Sequence, residues 1–135
     1  MVEIHVVYEG DLHCKVIHGP SGTTLSTDAP KDNQGKGDSF SPTDLVAAAL
    51  GSCMLTTMGI VATRRQIALK GAKVTVVKEM MTEGTRKIQK LSSTIILPDR
   101  LTAEERTLLE RTALTCPVHK SLIPDVEVPV YFLYQ

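Results

Sequence analysis

The sequence predicts an α+β fold in which strands and helices are grouped rather than alternated. Two stretches, near the N-terminus and between Lys73 and Leu97, place apolar residues at every second position, the period of a half-buried strand. A long apolar run opens at Ser41 behind a strong helix start. The order of strands, helix, strands, helices and strand then differs from the regular alternation of a doubly wound parallel sheet.

Taken in order, Val2, Ile4, Val6 and Tyr8 alternate with Glu3 and His5 in a first strand. Gly10-Asp11 turns the chain into a second strand, where Leu12, Cys14 and Val16 alternate with His13 and Lys15. Past the turn at His18–Gly22, a shorter third strand near 23–27 completes an antiparallel meander. Residues 29–39 are polar and glycine-containing, which predicts an exposed loop. At Ser41-Pro42-Thr43-Asp44 the serine hydroxyl can accept a free backbone N–H, proline needs no donor at the first helical position, and Asp44 favours the positive helix end.

That helix is expected to reach about residue 65. Its first two-thirds, including Leu45–Leu55, are apolar nearly all round, which predicts a central helix buried on every side. Gly51 would let another helix cross closely. Two more strands, 73–80 and 87–97, flank the Glu83-Gly84-Thr85 turn, with Val74, Val76, Leu91, Ile95 and Leu97 inward. Thr102-Ala103-Glu104-Glu105 reads as a capping box opening a helix with Leu108, Leu109 and Thr112 on its apolar side. A short helix is expected from Cys116-Pro117, and a last strand over 126–134, where Pro129 points to an edge.

With 135 residues and 42% hydrophobic composition, the chain can build one core, so a single domain spanning 1–135 is expected. Fifteen basic residues balance fifteen acidic ones, removing the electrostatic attraction that non-specific nucleic-acid binding needs. The first residues carry an acid where a secretory signal would be basic, and the uninterrupted apolar run Leu45–Gly51 falls short of the roughly 20 residues of a membrane span. No membrane partner is therefore expected. Three cysteines do not make a disulfide framework, and a cytoplasmic protein with free thiols is the expectation.

The cysteines are the candidates for chemistry. Cys53 shares a helix face with Val46, Ala49, Leu50, Thr57 and Ile60, where a free cysteine is ordinarily a small packing hydrophobe. Cys116 begins a helix, where free N–H groups and the dipole stabilise thiolate, and His119 and Lys120 within one turn could add to that field. Cys14 lies mid-strand without a neighbouring cationic cluster and reads as a packing residue. Cys116 and His119 form half of a zinc site with no second closely spaced pair, so neither a metal nor a cofactor is expected. Gly35-Lys36-Gly37 lacks the rest of a phosphate-loop pattern.

Ser41-Pro42-Thr43-Asp44-Leu45, Ala47–Cys53 and Cys116-Pro117-Val118-His119 together resemble the OsmC/Ohr family, and the element order agrees along the chain. The resemblance implies an OsmC-like fold with an antiparallel sheet around the central helix, an intertwined homodimer, and a thiol peroxidase acting on organic hydroperoxides. It further implies that Cys53 attacks the peroxide, that Cys116 resolves the product through a disulfide, and that a cellular thiol reductant resets the pair. Family members activate the attacking thiol with an N-terminal arginine and a glutamate early in the central helix. Here no arginine precedes Arg64, and Thr43 stands at the glutamate position beside Asp44. Lys36 or Lys31 is the candidate replacement for the arginine, and Asp44 for the glutamate. A protein lacking that arginine could instead bind a small molecule without turnover. Taken alone, the helix dipole favours Cys116 as attacker, because Cys53 lies about 16 Å into its own helix.

Overall fold

The computed structural model describes residues 1–135. They form two compact units, residues 1–46 and 47–135. In the first, β1 (Ile4–Gly10), β2 (His13–His18) and β3 (Thr24–Asp28) make the expected antiparallel meander. Leu12 belongs to the turn rather than to β2. Gly10, Asp11 and Leu12 all have positive φ, at 87°, 52° and 60°, and a left-handed residue cannot continue a ladder. The register sets Val6 opposite Val16 and Val16 opposite Leu25, building an apolar row across the sheet. Ile4, Val6, Tyr8 and Leu25 are nevertheless exposed, so the face expected to be half-buried is bare in this chain.

The 29–40 segment folds back on itself. Gly35 donates its N–H to Pro30 O at 3.0 Å, and a Cβ at Gly35 would lie 1.7 Å from Ala29 O, so the close approach admits only glycine. The following helix, α1 (Pro42–Arg64), starts where the sequence indicated. Ser41 Oγ accepts the Asp44 N–H at 3.1 Å while Asp44 Oδ2 accepts the Ser41 N–H at 2.9 Å, a reciprocal cap that satisfies two otherwise orphaned donors.

Within the second unit, α1 buries one side only: Ala47, Leu50, Gly51, Met54, Met58 and Ala62. Ala48, Ala49, Ser52, Thr56 and Ile60 face outward, which corrects the expectation of a helix covered all round. By length and composition α1 could cross a membrane, with mean hydropathy 1.9, because its Gly, Ser and Thr residues dilute the apolar run without interrupting it. Leu50, Met54 and Met58 have no exposure at all, as in a core helix. At Gly51 a Cβ would sit 3.0 Å from Val74 Cγ1 and 3.2 Å from Val76 Cγ2, so the element that approaches there is a strand and not a second helix.

That strand, β4 (Lys73–Met80), pairs antiparallel with β5 (Ile88–Leu97), and β6 (Val130–Tyr134) adds to the other side of β5. Pro129 immediately precedes β6, which is an edge strand of this sheet as its proline suggested. The β5–β6 pairing is parallel, unlike the rest of the sheet. Two helices intervene, α2 (Ala103–Ala113) and α3 (Pro117–Leu122), and they supply the long crossover that parallel neighbours require. The capping box of α2 forms in full, with Glu105 N donating to Thr102 Oγ1 at 3.2 Å and Thr102 N to Glu105 Oε2 at 2.9 Å.

The inward face of β5 carries Leu91, Ser93, Ile95 and Leu97, each at most 1% exposed. Ser93 Oγ is buried there without a hydrogen-bond partner. A buried unpaired hydroxyl is costly, so Ser93→Ala is expected to raise stability by about 1 kcal/mol. The measurement is the urea midpoint at unchanged m-value, and a lower midpoint would refute the expectation.

Candidate active site

Two elements of the second unit, α1 and α3, bring the candidate residues together. Cys53 lies in the fourth turn of α1 and is partly exposed, whereas Cys116 is the N-cap of α3 and is fully buried. Their side chains lie close enough for each to shift the other's ionisation, although 63 residues separate them (116 − 53).

The first turn of α3 explains how each sulfur is held. An α-helix leaves its first backbone N–H groups without intrahelical acceptors. Pro117 has no N–H to place. The Val118 N–H lies near both sulfurs and favours the ionised form of each, and the His119 N–H donates to Cys116 Sγ at 3.2 Å. Lys120 N then closes the first regular helical bond to Cys116 O at 3.0 Å. The first-turn amides of this short helix therefore act on both sulfurs.

These contacts separate the thiols chemically. Burial raises the Cys53 pKa, but the Val118 N–H, the Cys116 thiol and the Thr57 hydroxyl act against it, and the net position lies below the ordinary thiol value. Thr57 is the weakest of the three donors on geometric grounds. Its Oγ1 lies 4.0 Å from Cys53 Sγ while donating to Cys53 O at 2.8 Å, and one hydroxyl proton cannot serve both. Burial pushes the Cys116 thiol up; its His119 and Val118 amide contacts oppose this, and its proximity to Cys53 adds to it. Of the two, Cys53 is the better placed to be thiolate at neutral pH.

His119 contributes through its backbone and not through charge. Burial, and secondarily Lys120, pull its imidazole pKa below the usual histidine value, so a cationic ring beside Cys116 is not what the site contains. The ring is buried and its Nδ1 has no hydrogen-bond partner.

The other supporting candidates lie in the first unit. Asp44 commits a carboxylate oxygen to the Ser41 amide at the start of α1. Lys36 lines a polar cleft of about 360 Å³ with Glu9, Asp11, His13, Asp28 and Asp38. In that cleft His13 Nδ1 meets Asp28 Oδ1 at 2.5 Å, and this bond raises the imidazole pKa although Lys36 opposes it.

The sequence reading missed Val118. Its contribution is a main-chain N–H, which no side-chain pattern records; the only signal was the Cys-Pro helix start, whose free amides the sequence reading aimed at Cys116 alone.

The chain matches the family model described as OsmC-like protein over residues 35–130. Among solved structures, a protein from Psychrobacter arcticus 273-4 described as an osmotic stress induced and detoxification response protein is 42% identical, with 98% of this chain and 96% of that chain covered and a TM-score of 0.91. An OsmC-like protein from Mycoplasma pneumoniae is 17% identical, covering 100% and 98% of the two chains at a TM-score of 0.83. An organic hydroperoxide resistance protein from Elizabethkingia anophelis is 19% identical, covering 100% and 96% at 0.79. At such identities these last two establish likeness of fold only. No curated protein matches the chain.

Proposed function

Because the chain belongs to the OsmC-like protein family, we propose that it is a thiol-dependent peroxidase for organic hydroperoxides, with Cys53 attacking and Cys116 resolving. The observation that carries this reading is the pair of donors on Cys53, the Val118 N–H and the Cys116 thiol. One main-chain amide and one side-chain thiol of the second unit thus take the part in thiolate stabilisation that the family resemblance gives to an arginine. The reading of a non-catalytic binder drew its support from that missing arginine.

In the proposed cycle the Cys53 thiolate attacks one peroxide oxygen, forming an S–O bond as the O–O bond breaks. The departing alkoxide takes a proton and leaves as alcohol, and Cys53 becomes a sulfenic acid. Cys116 then attacks that sulfur, an S–S bond replaces the S–O bond, and water leaves. The mutual influence of the two thiols on each other's ionisation supports this step, which needs the two Cα atoms within about 7 Å.

Treating the reduced chain with one equivalent of cumene hydroperoxide should remove two of its three thiols and form an intramolecular Cys53–Cys116 bond detectable by peptide mass spectrometry. Retention of all three thiols would favour the non-catalytic binder.

We also propose that the protein works as a homodimer in the cytoplasm, where a thiol pool keeps the pair reduced. The bare apolar row on β1–β3 and the outward side of α1 are the surfaces a second copy would cover. Light scattering in solution should give twice the mass of one chain, and a monomeric mass would reject the dimer.

A further inference from the structure

Resetting a disulfide requires an incoming thiolate to choose one of two sulfurs, and here the two are differently placed. Cys116 has no exposure, and three bonds fix it between α2 and α3: its N–H to Ala113 O at 3.3 Å, the Lys120 N–H to its carbonyl at 3.0 Å, and the His119 N–H to its sulfur at 3.2 Å. Cys53 is partly exposed on the flank of α1.

We propose that the thiol reductant enters at Cys53, so that the mixed disulfide forms on the peroxide-attacking cysteine and Cys116 is the sulfur expelled. This rests on the peroxidase reading of the same pair. The reductant thiolate forms a new S–S bond to Cys53 Sγ as the Cys53–Cys116 bond breaks, and the electron pair leaves on Cys116, which takes a proton from solvent. A second reductant thiol attacks the reductant sulfur of the mixed disulfide and releases Cys53 as thiolate. Two electrons enter, and the reductant leaves as its disulfide.

Leaving-group chemistry alone points the other way. The lower thiol pKa belongs to Cys53, which would make Cys53 the easier sulfur to expel. That preference is small, about three-fold per pKa unit for a Brønsted coefficient near one half. Bringing Cys116 to solvent would break its three bonds, each worth about a factor of five, so the opened form is populated about a hundred-fold less. Access outweighs leaving-group strength.

The test uses the full chain with Cys14→Ser, which leaves only the two sulfurs of interest. The disulfide is formed with diamide, so the outcome does not depend on peroxide chemistry, and glutathione is added as the probe. Aliquots quenched with acid and N-ethylmaleimide over short times are mapped by mass spectrometry. Glutathione on Cys53 with maleimide on Cys116, in excess of about ten to one when extrapolated to zero time, is the expected result. Glutathione on Cys116 in equal or greater amount would overturn it, as would failure of diamide to link the pair. If diamide links the cysteines and glutathione maps to Cys53 while cumene hydroperoxide forms no disulfide, the peroxidase reading fails and the entry point stands.

Discussion

Replacing Cys53 with serine is expected to lower organic hydroperoxide reduction by at least about a thousand-fold, because the nucleophile itself is removed. The serine hydroxyl is neutral at any accessible pH, and the Val118 N–H that stabilises a thiolate has little to act on in its place. Cys116 remains, but it is fully buried and its pKa lies above the ordinary thiol value, so it should not take over the attack. Peroxide consumption by the purified Cys53→Ser chain, coupled to a dithiol reductant, measures the effect. Activity within ten-fold of the unaltered chain would reject Cys53 as attacker. The helix dipole, read from the sequence, favoured Cys116 instead.

Removing the second sulfur should have a different signature. In Cys116→Ala the first reaction with peroxide survives, because Cys53 keeps the Val118 N–H, but the sulfenic acid has no internal partner. Steady-state turnover with a bulky reductant should fall by about a hundred-fold or more, while single-turnover peroxide consumption changes far less. The same substitution deletes a donor to Cys53, so the pH dependence should change in a known direction. In the unaltered chain, reactivity rises with pH as the Cys53 thiol ionises, with an inflection below the ordinary thiol value. With Cys116 gone, less of the thiolate is stabilised, and the inflection should move up toward that ordinary value. Stopped-flow measurement of the peroxide reaction against pH reads both effects. A downward movement would mean that Cys116 opposes ionisation of Cys53.

The elements themselves were legible because their signals are local. A serine before a proline, with aspartate three residues after the serine, specified the start of α1 to the residue, and Thr102 with Glu105 did the same for α2. Leu91, Ile95 and Leu97 on β5 were readable as inward from their alternation, and Ser93 on the same face was not, since serine carries no apolar signal. Leu12 also escaped, because a positive φ at a leucine is imposed by closure of the hairpin and has no mark in the residue type. The helix expected at Gly51 proved to be β4, since a missing side chain permits close approach without specifying what approaches.

For the site, the sequence by itself supplied the two reactive residue types, the helix start at Cys116-Pro117, and a pattern specific enough to suggest the family. Only the tertiary structure decided which groups surround each sulfur. The deciding groups are the Val118 amide and the Cys116 thiol, brought to Cys53 from a helix more than sixty residues away in sequence. The helix start was read correctly at α3, but burial raises the Cys116 thiol there despite the amides around it. Thiol acidity depends on which donors surround the sulfur in space, and the packing of α3 against α1 sets those neighbours.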